Sequence, residues 1–104
     1  YTEQTVEGHE KNWQLVSNTY AASSGDRLML DSSNGAFTVT LPSSPSQGDY
    51  VQFADGSGQL STNSVTVVRN GSNIQSTGDD LEIDVDNHGF KLVFTDSTNG
   101  WRLA

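Results

Sequence analysis

The chain has 104 residues, enough for one domain, and its 13 acidic and five basic side chains give a formal net charge of −8. A nucleic acid or an anionic membrane surface as partner requires clustered lysines and arginines, whereas these bases are spread along the whole chain. The lack of cysteine excludes disulfides, thiol catalysis and cysteine-ligated zinc. No apolar run approaches the about 20 residues of a membrane-spanning helix.

Apolar residues make up 33% of the chain, less than the usual ~45–50%, and Ser, Thr, Asn, Gly and Asp take their place. This composition is typical of thin β structures, fibres and carbohydrate-facing domains, in which the surface is large relative to the core. The chain begins with Tyr1 rather than Met, and no signal peptide is visible. We therefore expect a processed or excised piece of a longer protein.

Residues 1–19 differ from the rest, because they hold three glutamates and one glycine and show no clear period. They are compatible with a short helix, an extended arm or a strand around residues 13–16. We expect an N-terminal arm or a linker from a preceding region. Trp13 within it is a candidate for packing against a neighbouring chain.

From residue 20 onward the pattern predicts β-strands. In the run 36–41, Phe37, Val39 and Leu41 alternate with threonines, which is typical of a strand with one buried face. Similar runs occupy 27–31, 50–54, 64–69, 81–86, 90–95 and 101–103. About seven strands at this spacing predict an all-β module over residues 20–104, an antiparallel sandwich or a small barrel.

A five-residue turn occurs twice, as Asp31-Ser32-Ser33-Asn34-Gly35 and as Asp96-Ser97-Thr98-Asn99-Gly100. Asn-Gly takes up positive φ readily, and Asp or Ser at the front of a turn bonds free backbone N–H groups. Between alternating runs, this sequence predicts antiparallel hairpins.

Four acidic residues alternate with apolar ones near the C-terminus: Asp80, Glu82, Asp84 and Asp86. On a strand they would all lie on one face, about 6–7 Å apart. Such a stripe is either a solvated face that discourages edge pairing or, as the less favoured interpretation, a weak calcium site. We expect no cofactor and regard these four residues only as weak metal candidates.

Catalysis is not predicted. The segment 84–95 fails the EF-hand pattern, because its fifth position is His88 and its twelfth is Thr95. No spacing singles out a nucleophile beside His88, or two carboxylates for glycoside cleavage. We therefore expect that the protein is not an enzyme.

Trp13 and Trp101 are the two tryptophans, and each ring offers a flat apolar face that could stack on a sugar. Trp101 follows a glycine at the start of the last run, a place that more often holds a core residue or a subunit contact. We favour structural roles for both and keep assembly or glycan contact as the candidate function of each.

Several sequence segments, taken in their order along the chain, resemble a β-rich module of tailed-bacteriophage virion proteins. They are Gly25-Asp26-Arg27, Phe37–Pro42, Pro45–Asp55, Asn63–Ile74, Leu92–Phe94 and Gly100–Leu103. The resemblance covers residues 20–104 and implies a tail-fibre, appendage or capsid-surface domain, commonly trimeric or attached to a larger assembly. It carries over no catalytic residues, because the shared positions are turn formers and core residues.

The sequence thus leads us to expect a virion structural protein on the particle surface that mediates assembly or host attachment. We expect a homotrimer that contacts other virion proteins and, in some settings, host surface glycan, with no nucleic-acid partner and no membrane insertion. A carbohydrate-binding module without catalysis is the alternative.

Overall fold

Nine short strands provide the regular secondary structure of residues 11–104, the part of the chain that the computed structural model describes. They are β1 (Trp13–Val16), β2 (Tyr20–Ala21), β3 (Arg27–Leu30), β4 (Phe37–Thr40), β5 (Tyr50–Asp55), β6 (Val65–Val68), β7 (Leu81–Ile83), β8 (Phe90–Phe94) and β9 (Trp101–Leu103). This range contains no helix, and therefore none that could cross a membrane. The prediction of an all-β fold is confirmed.

The strands form two mixed sheets. The five-stranded sheet has the order β1-β3-β5-β8-β9, and the four-stranded sheet has the order β2-β4-β6-β7. From β1 to β6 the chain alternates between the sheets, and each strand pairs in parallel with the strand two places earlier. This segment therefore winds as three stacked coils, each of which gives one strand to each sheet.

The last three strands pair differently. β7 lies antiparallel to β6, β8 to β5, and β9 to β8. Residues 73–76 then run along β9, where the Trp101 N–H donates to the Asn73 carbonyl at 2.8 Å and the Gln75 N–H donates to the Trp101 carbonyl at 2.8 Å. Three antiparallel strand pairings and the parallel bridge between Ile74 and Trp101 therefore form a cap on the stack of parallel coils.

The predicted antiparallel architecture is wrong for four of the seven strand pairings in the described residues. The turn Asp31–Gly35 leads from β3 to β4, which lie in opposite sheets, whereas Asp96–Gly100 joins the antiparallel neighbours β8 and β9. The hairpin prediction is thus wrong for the first turn and confirmed for the second. The residues of the turn change the direction of the chain, but the strand with which the next strand pairs depends on contacts between residues that are distant in sequence.

The inner faces of both sheets contribute to one core. In β4, Phe37 and Val39 are buried while the intervening threonines are half-buried, as the alternation predicted. Fully buried leucines and valines from both sheets complete the cluster, together with Phe53 and Trp101. Burial of these apolar side chains stabilises the fold by about 25 cal/mol per Å² removed from water.

β1 lies within the segment that the sequence assigned to an arm. Its four residues are in register with β3, and Val16 is only 5% exposed, so residues 13–16 belong to the five-stranded sheet. The strand alternative for this stretch is therefore correct. Residues 1–10 lie outside the described residues, and a domain boundary at 19–20 stays a prediction.

Candidate functional site

The outer face of the five-stranded sheet carries an unusual row of side chains. Strand register places Trp13, Arg27, Gln52 and Lys91 side by side across β1, β3, β5 and β8. Because side chains alternate between the faces of a strand, these four point away from the buried Leu28, Val51, Phe53 and Leu92. With Tyr50 and Arg102 of the adjacent row, they form what we call the aromatic–basic face.

Each aromatic ring on this face has a cation above it. The Arg27 guanidinium carbon lies 4.4 Å from the Trp13 ring centroid, and the Lys91 Nζ lies 4.9 Å from the Tyr50 centroid. Such pairs contribute about 0.5–1 kcal/mol each at exposed sites. The Arg27 Nε also donates to the Gln52 Oε1 at 3.3 Å, so the row is held in place by its own contacts.

The charge of this face is opposite to that of the whole chain. The strands of the five-stranded sheet carry three of the protein's five basic residues, Arg27, Lys91 and Arg102, and one acid, Asp55. Five acids lie instead within residues 79–86, around β7 of the other sheet. Folding thus collects scattered bases into one patch, which the linear sequence did not reveal.

Acids that border the five-stranded sheet bond to their own loops. Backbone N–H groups donate to the carboxylate of each one, from Ser23 to Asp26, from Ser33 to Asp31, from Ser46 to Asp49 and from Ser57 to Asp55. Asp26 is also buried, and its Oδ1 forms an ion pair with the Lys11 Nζ at 3.0 Å. These carboxylates are therefore engaged within the fold rather than directed at the aromatic–basic face.

Asp55 makes the densest set of such bonds. Its carboxylate accepts backbone N–H groups from Asn87 at 2.6 Å, Gly58 at 2.7 Å and Ser57 at 3.0 Å. Desolvation raises the pKa of Asp55, but these three donors outweigh it and hold the pKa below the ordinary value of 3.8. Asp55 therefore ties the end of β5 to the loop before β8.

The predicted acidic stripe is dispersed in the structure. β7 ends at Ile83, so Asp84 and Asp86 lie beyond the strand, and the predicted strand over 81–86 is too long. Asp80 accepts the Arg69 N–H at 3.0 Å, Glu82 accepts the Ser64 hydroxyl at 2.7 Å, and Asp86 accepts the Ser61 N–H at 2.8 Å. Within residues 11–104 no three His, Asp or Glu side chains come together as a group that could hold a metal ion.

The two tryptophans occupy different environments. Trp101 is completely buried and packs edge-on against Phe94 with ring centroids 5.5 Å apart, so its ring has no free face for a sugar or a second chain. Trp101 is a core residue, and the candidate contact role fails for lack of exposed surface. Trp13 is half-buried on the aromatic–basic face and keeps its candidate role.

A cavity of about 160 Å³ opens where β7 approaches β8 and β9. Leu81, Ile83, Phe90 and the half-exposed Val85 and Leu103 form its apolar lining, with Glu82, Asp84 and His88 among the polar residues. The His88 ring lies 6.1 Å from that of Phe90, and no described Ser or Asp side chain is hydrogen-bonded to it. A triad geometry is therefore not assembled around His88 in the described part of the chain.

Sequence reasoning missed the aromatic–basic face because its residues come from five strands. Trp13, Arg27, Gln52 and Lys91 become neighbours only through the register of parallel and antiparallel pairs. The available signal was a polar or aromatic residue at one or more outward positions of each of these strands. No known family model matches the chain, and no curated protein is similar to it.

Proposed function

We propose that the protein is a structural module of a tailed-bacteriophage virion, a fibre, appendage or capsid-surface domain that acts by assembly and attachment. The resemblance over residues 20–104 supports this assignment. The observation that carries it is the stack of three parallel coils closed by a cap. In such quasi-one-dimensional folds each unit contacts mainly its neighbours, which suits a spacer in an extended appendage.

The proposal includes a homotrimer on the particle surface, in contact with other virion proteins. Residues 1–19 would provide the anchor. Deletion of residues 1–10 leaves β1 in place and should release the module from the particle while its thermal transition is retained. Deletion of residues 1–19 also removes the buried Val16 and should lower the stability as well.

An antibody raised against the folded module tests the assignment. It should label the surface of phage particles that encode the chain, and mass spectrometry of washed particles should recover its peptides. A protein that is abundant in infected cells but absent from washed particles would contradict the proposal. Light scattering of the purified chain should give the mass of a trimer.

The aromatic–basic face favours a second candidate function, carbohydrate binding without catalysis. Half-buried Trp13 and Tyr50 present apolar ring surface beside hydrogen-bond donors, the combination with which proteins hold sugars. The two functions are compatible if the module binds host glycan from the particle. A glycan array with the wild type and Trp13→Ala should show binding that is lost in the variant.

A further inference from the structure

We infer that the aromatic–basic face binds an anionic glycan, a polysaccharide segment that bears uronate, sialate or sulfate groups. This inference rests on the carbohydrate-binding function proposed above and adds the charge class of the ligand. It follows from the arrangement of rings, cations and amide across five strands, together with the internal engagement of the nearby acids.

The dimensions of the row suit a short segment of glycan. Neighbouring strands are about 4.8 Å apart, so the row from Trp13 to Lys91 spans three spacings, about 14 Å, a length that a trisaccharide covers. The outer face of a sheet suits an extended polymer laid across the strands.

Trp13 offers the stacking surface. Arg27 lies over one side of its ring, and β1 is an edge strand, so no strand of the described residues lies on the side away from β3. The apolar face of a pyranose ring can pack there, as on other amphipathic aromatic side chains. Tyr50 provides a second ring in the adjacent row, beneath Lys91.

The cations determine the charge of the ligand. Lys91 and Arg102 lie on this face, and charge-assisted hydrogen bonds from such groups to a carboxylate or sulfate are about twice as strong as neutral ones. The Arg102 guanidinium is positioned by a 3.0 Å bond to the Ser76 hydroxyl. Gln52, between Arg27 and Lys91, adds an amide that can bond sugar hydroxyls.

Among the described residues, the acids nearest this face direct their carboxylates at their own loops, where they keep their charge. Asp26, Asp31, Asp49 and Asp55 bond backbone groups of their own loops, and the 79–86 cluster surrounds β7 of the other sheet. The net charge of −8 still repels polyanions at long range. Recognition should therefore be short-ranged and should weaken as salt screens the contacts.

The test uses two ligands that differ only in charge, β-1,4-linked trimannuronate and β-1,4-linked mannotriose, beside an array of sialylated, sulfated and uronate glycans with their neutral counterparts. Binding is measured by calorimetry for the wild type, Trp13→Ala and the double variant Lys91→Gln/Arg102→Gln. Arg69→Gln is the control, since it removes one positive charge outside this face, against the two that the double variant removes on it. Circular dichroism checks that each variant is folded.

We expect at least one anionic glycan of the array to bind, at least tenfold more tightly than its neutral counterpart. The double variant should weaken this binding at least tenfold, Trp13→Ala should do the same, and Arg69→Gln should change it less than twofold. Equal binding of neutral and anionic glycans would overturn the charge class but leave carbohydrate binding standing. Absence of any glycan binding, or equal binding of single-stranded oligothymidylate, would overturn the inference, while particle labelling tests the virion assignment independently.

Discussion

The two copies of the Asp-Ser-x-Asn-Gly turn have nearly the same sequence but different surroundings. In the first, Asp31 accepts the Ser33 N–H at 3.0 Å, and Gly35 has φ +134° with open space where a Cβ would lie. In the second, Asp96 accepts the Thr98 and Asn99 N–H groups, and a Cβ on Gly100 would overlap the backbone of Asn73. The same local chemistry thus serves a crossing between sheets in one place and a packed hairpin in the other.

The difference comes from the segment that docks on the second turn. Residues 73–76 bond along β9, and the Ser76 N–H donates to the Asn99 carbonyl at 3.0 Å. This segment carries two consecutive residues with positive φ, Gln75 at 53° and Ser76 at 66°. Tertiary contacts hold these two residues in the strained left-handed region, so the cap is more constrained than the first turn.

The largest difference is expected for Gly100→Ala and Gly35→Ala. Gly100→Ala should lower the free energy of unfolding by about 3 kcal/mol or more, because the methyl group overlaps Asn73 and φ is +69°. Gly35→Ala meets no neighbour and should cost about 1–2 kcal/mol for the backbone conformation alone. Urea denaturation of both variants measures this comparison, and equal losses would show that the docked segment does not constrain Gly100.

Acid should destabilise both turns. Side-chain and backbone hydrogen bonds from Ser33 lower the pKa of Asp31, and bonds from the Asn99 backbone and side chain lower the pKa of Asp96, as backbone donors do for Asp55. A carboxyl whose pKa is lower in the folded state stabilises the fold above its unfolded pKa, here the ordinary 3.8, and loses this contribution as the pH falls through the folded value. Unfolding midpoints should therefore be flat from pH 6 to about pH 5 and fall below about pH 4.

Asp55→Asn provides the control for this titration, because it keeps the size of the side chain but removes the charge. The variant should be less stable at pH 6 and should show a smaller decrease between pH 6 and pH 3 than the wild type. An identical decrease would place the acid sensitivity in other carboxylates.

Asp96→Ala should lower the urea midpoint more than Asp31→Ala. Asp96 accepts two backbone N–H groups and the Asn99 amide, whereas Asp31 accepts one backbone N–H and the Ser33 hydroxyl. More donors lose their partner in the second turn. The reverse order of midpoints would mean that the sheet crossing depends on its turn more than the hairpin does.

The smallest effect is expected for Gln75→Gly, which should stabilise the protein by about 0.5 kcal/mol. Glycine adopts φ 53° without the Cβ strain, but the variant loses the 3.3 Å bond from the Leu103 N–H to the Gln75 Oε1. Gln75→Ala keeps the strain and loses the same side-chain bond, so it serves as the matched comparison. A destabilised Gln75→Gly variant would indicate that the side-chain bond outweighs the relief of strain.

Much of the local structure followed from the sequence. Seven predicted runs contain strands, and the alternation in 36–41 identified Phe37 and Val39 as buried. The two-residue strand β2 was missed because so short a segment has no period to detect. The end of β7 was missed because the alternation of acids and apolar residues continues to Asp86, beyond the point where strand pairing stops at Ile83.

The sequence identified Trp13 as a candidate site residue, but it did not identify the residues that lie beside Trp13 on the aromatic–basic face. Arg27, Gln52 and Lys91 join it through register, and Trp101, the second candidate, lies in the core. Pairing between segments that are distant in sequence decides which strands are neighbours. The residues that lie beside an outward side chain therefore become known only once this pairing is known.

By itself, the sequence determined the all-β class, the buried face of β4 and the chemistry of the turns, because these depend on residues close together in the chain. The tertiary structure decided that the coils stack in parallel, that one Asp-Ser-x-Asn-Gly turn crosses between sheets, and that scattered bases meet on one face. The physical reason is that backbone hydrogen bonds in a sheet join segments far apart in sequence, and any of several partners would satisfy the same local pattern.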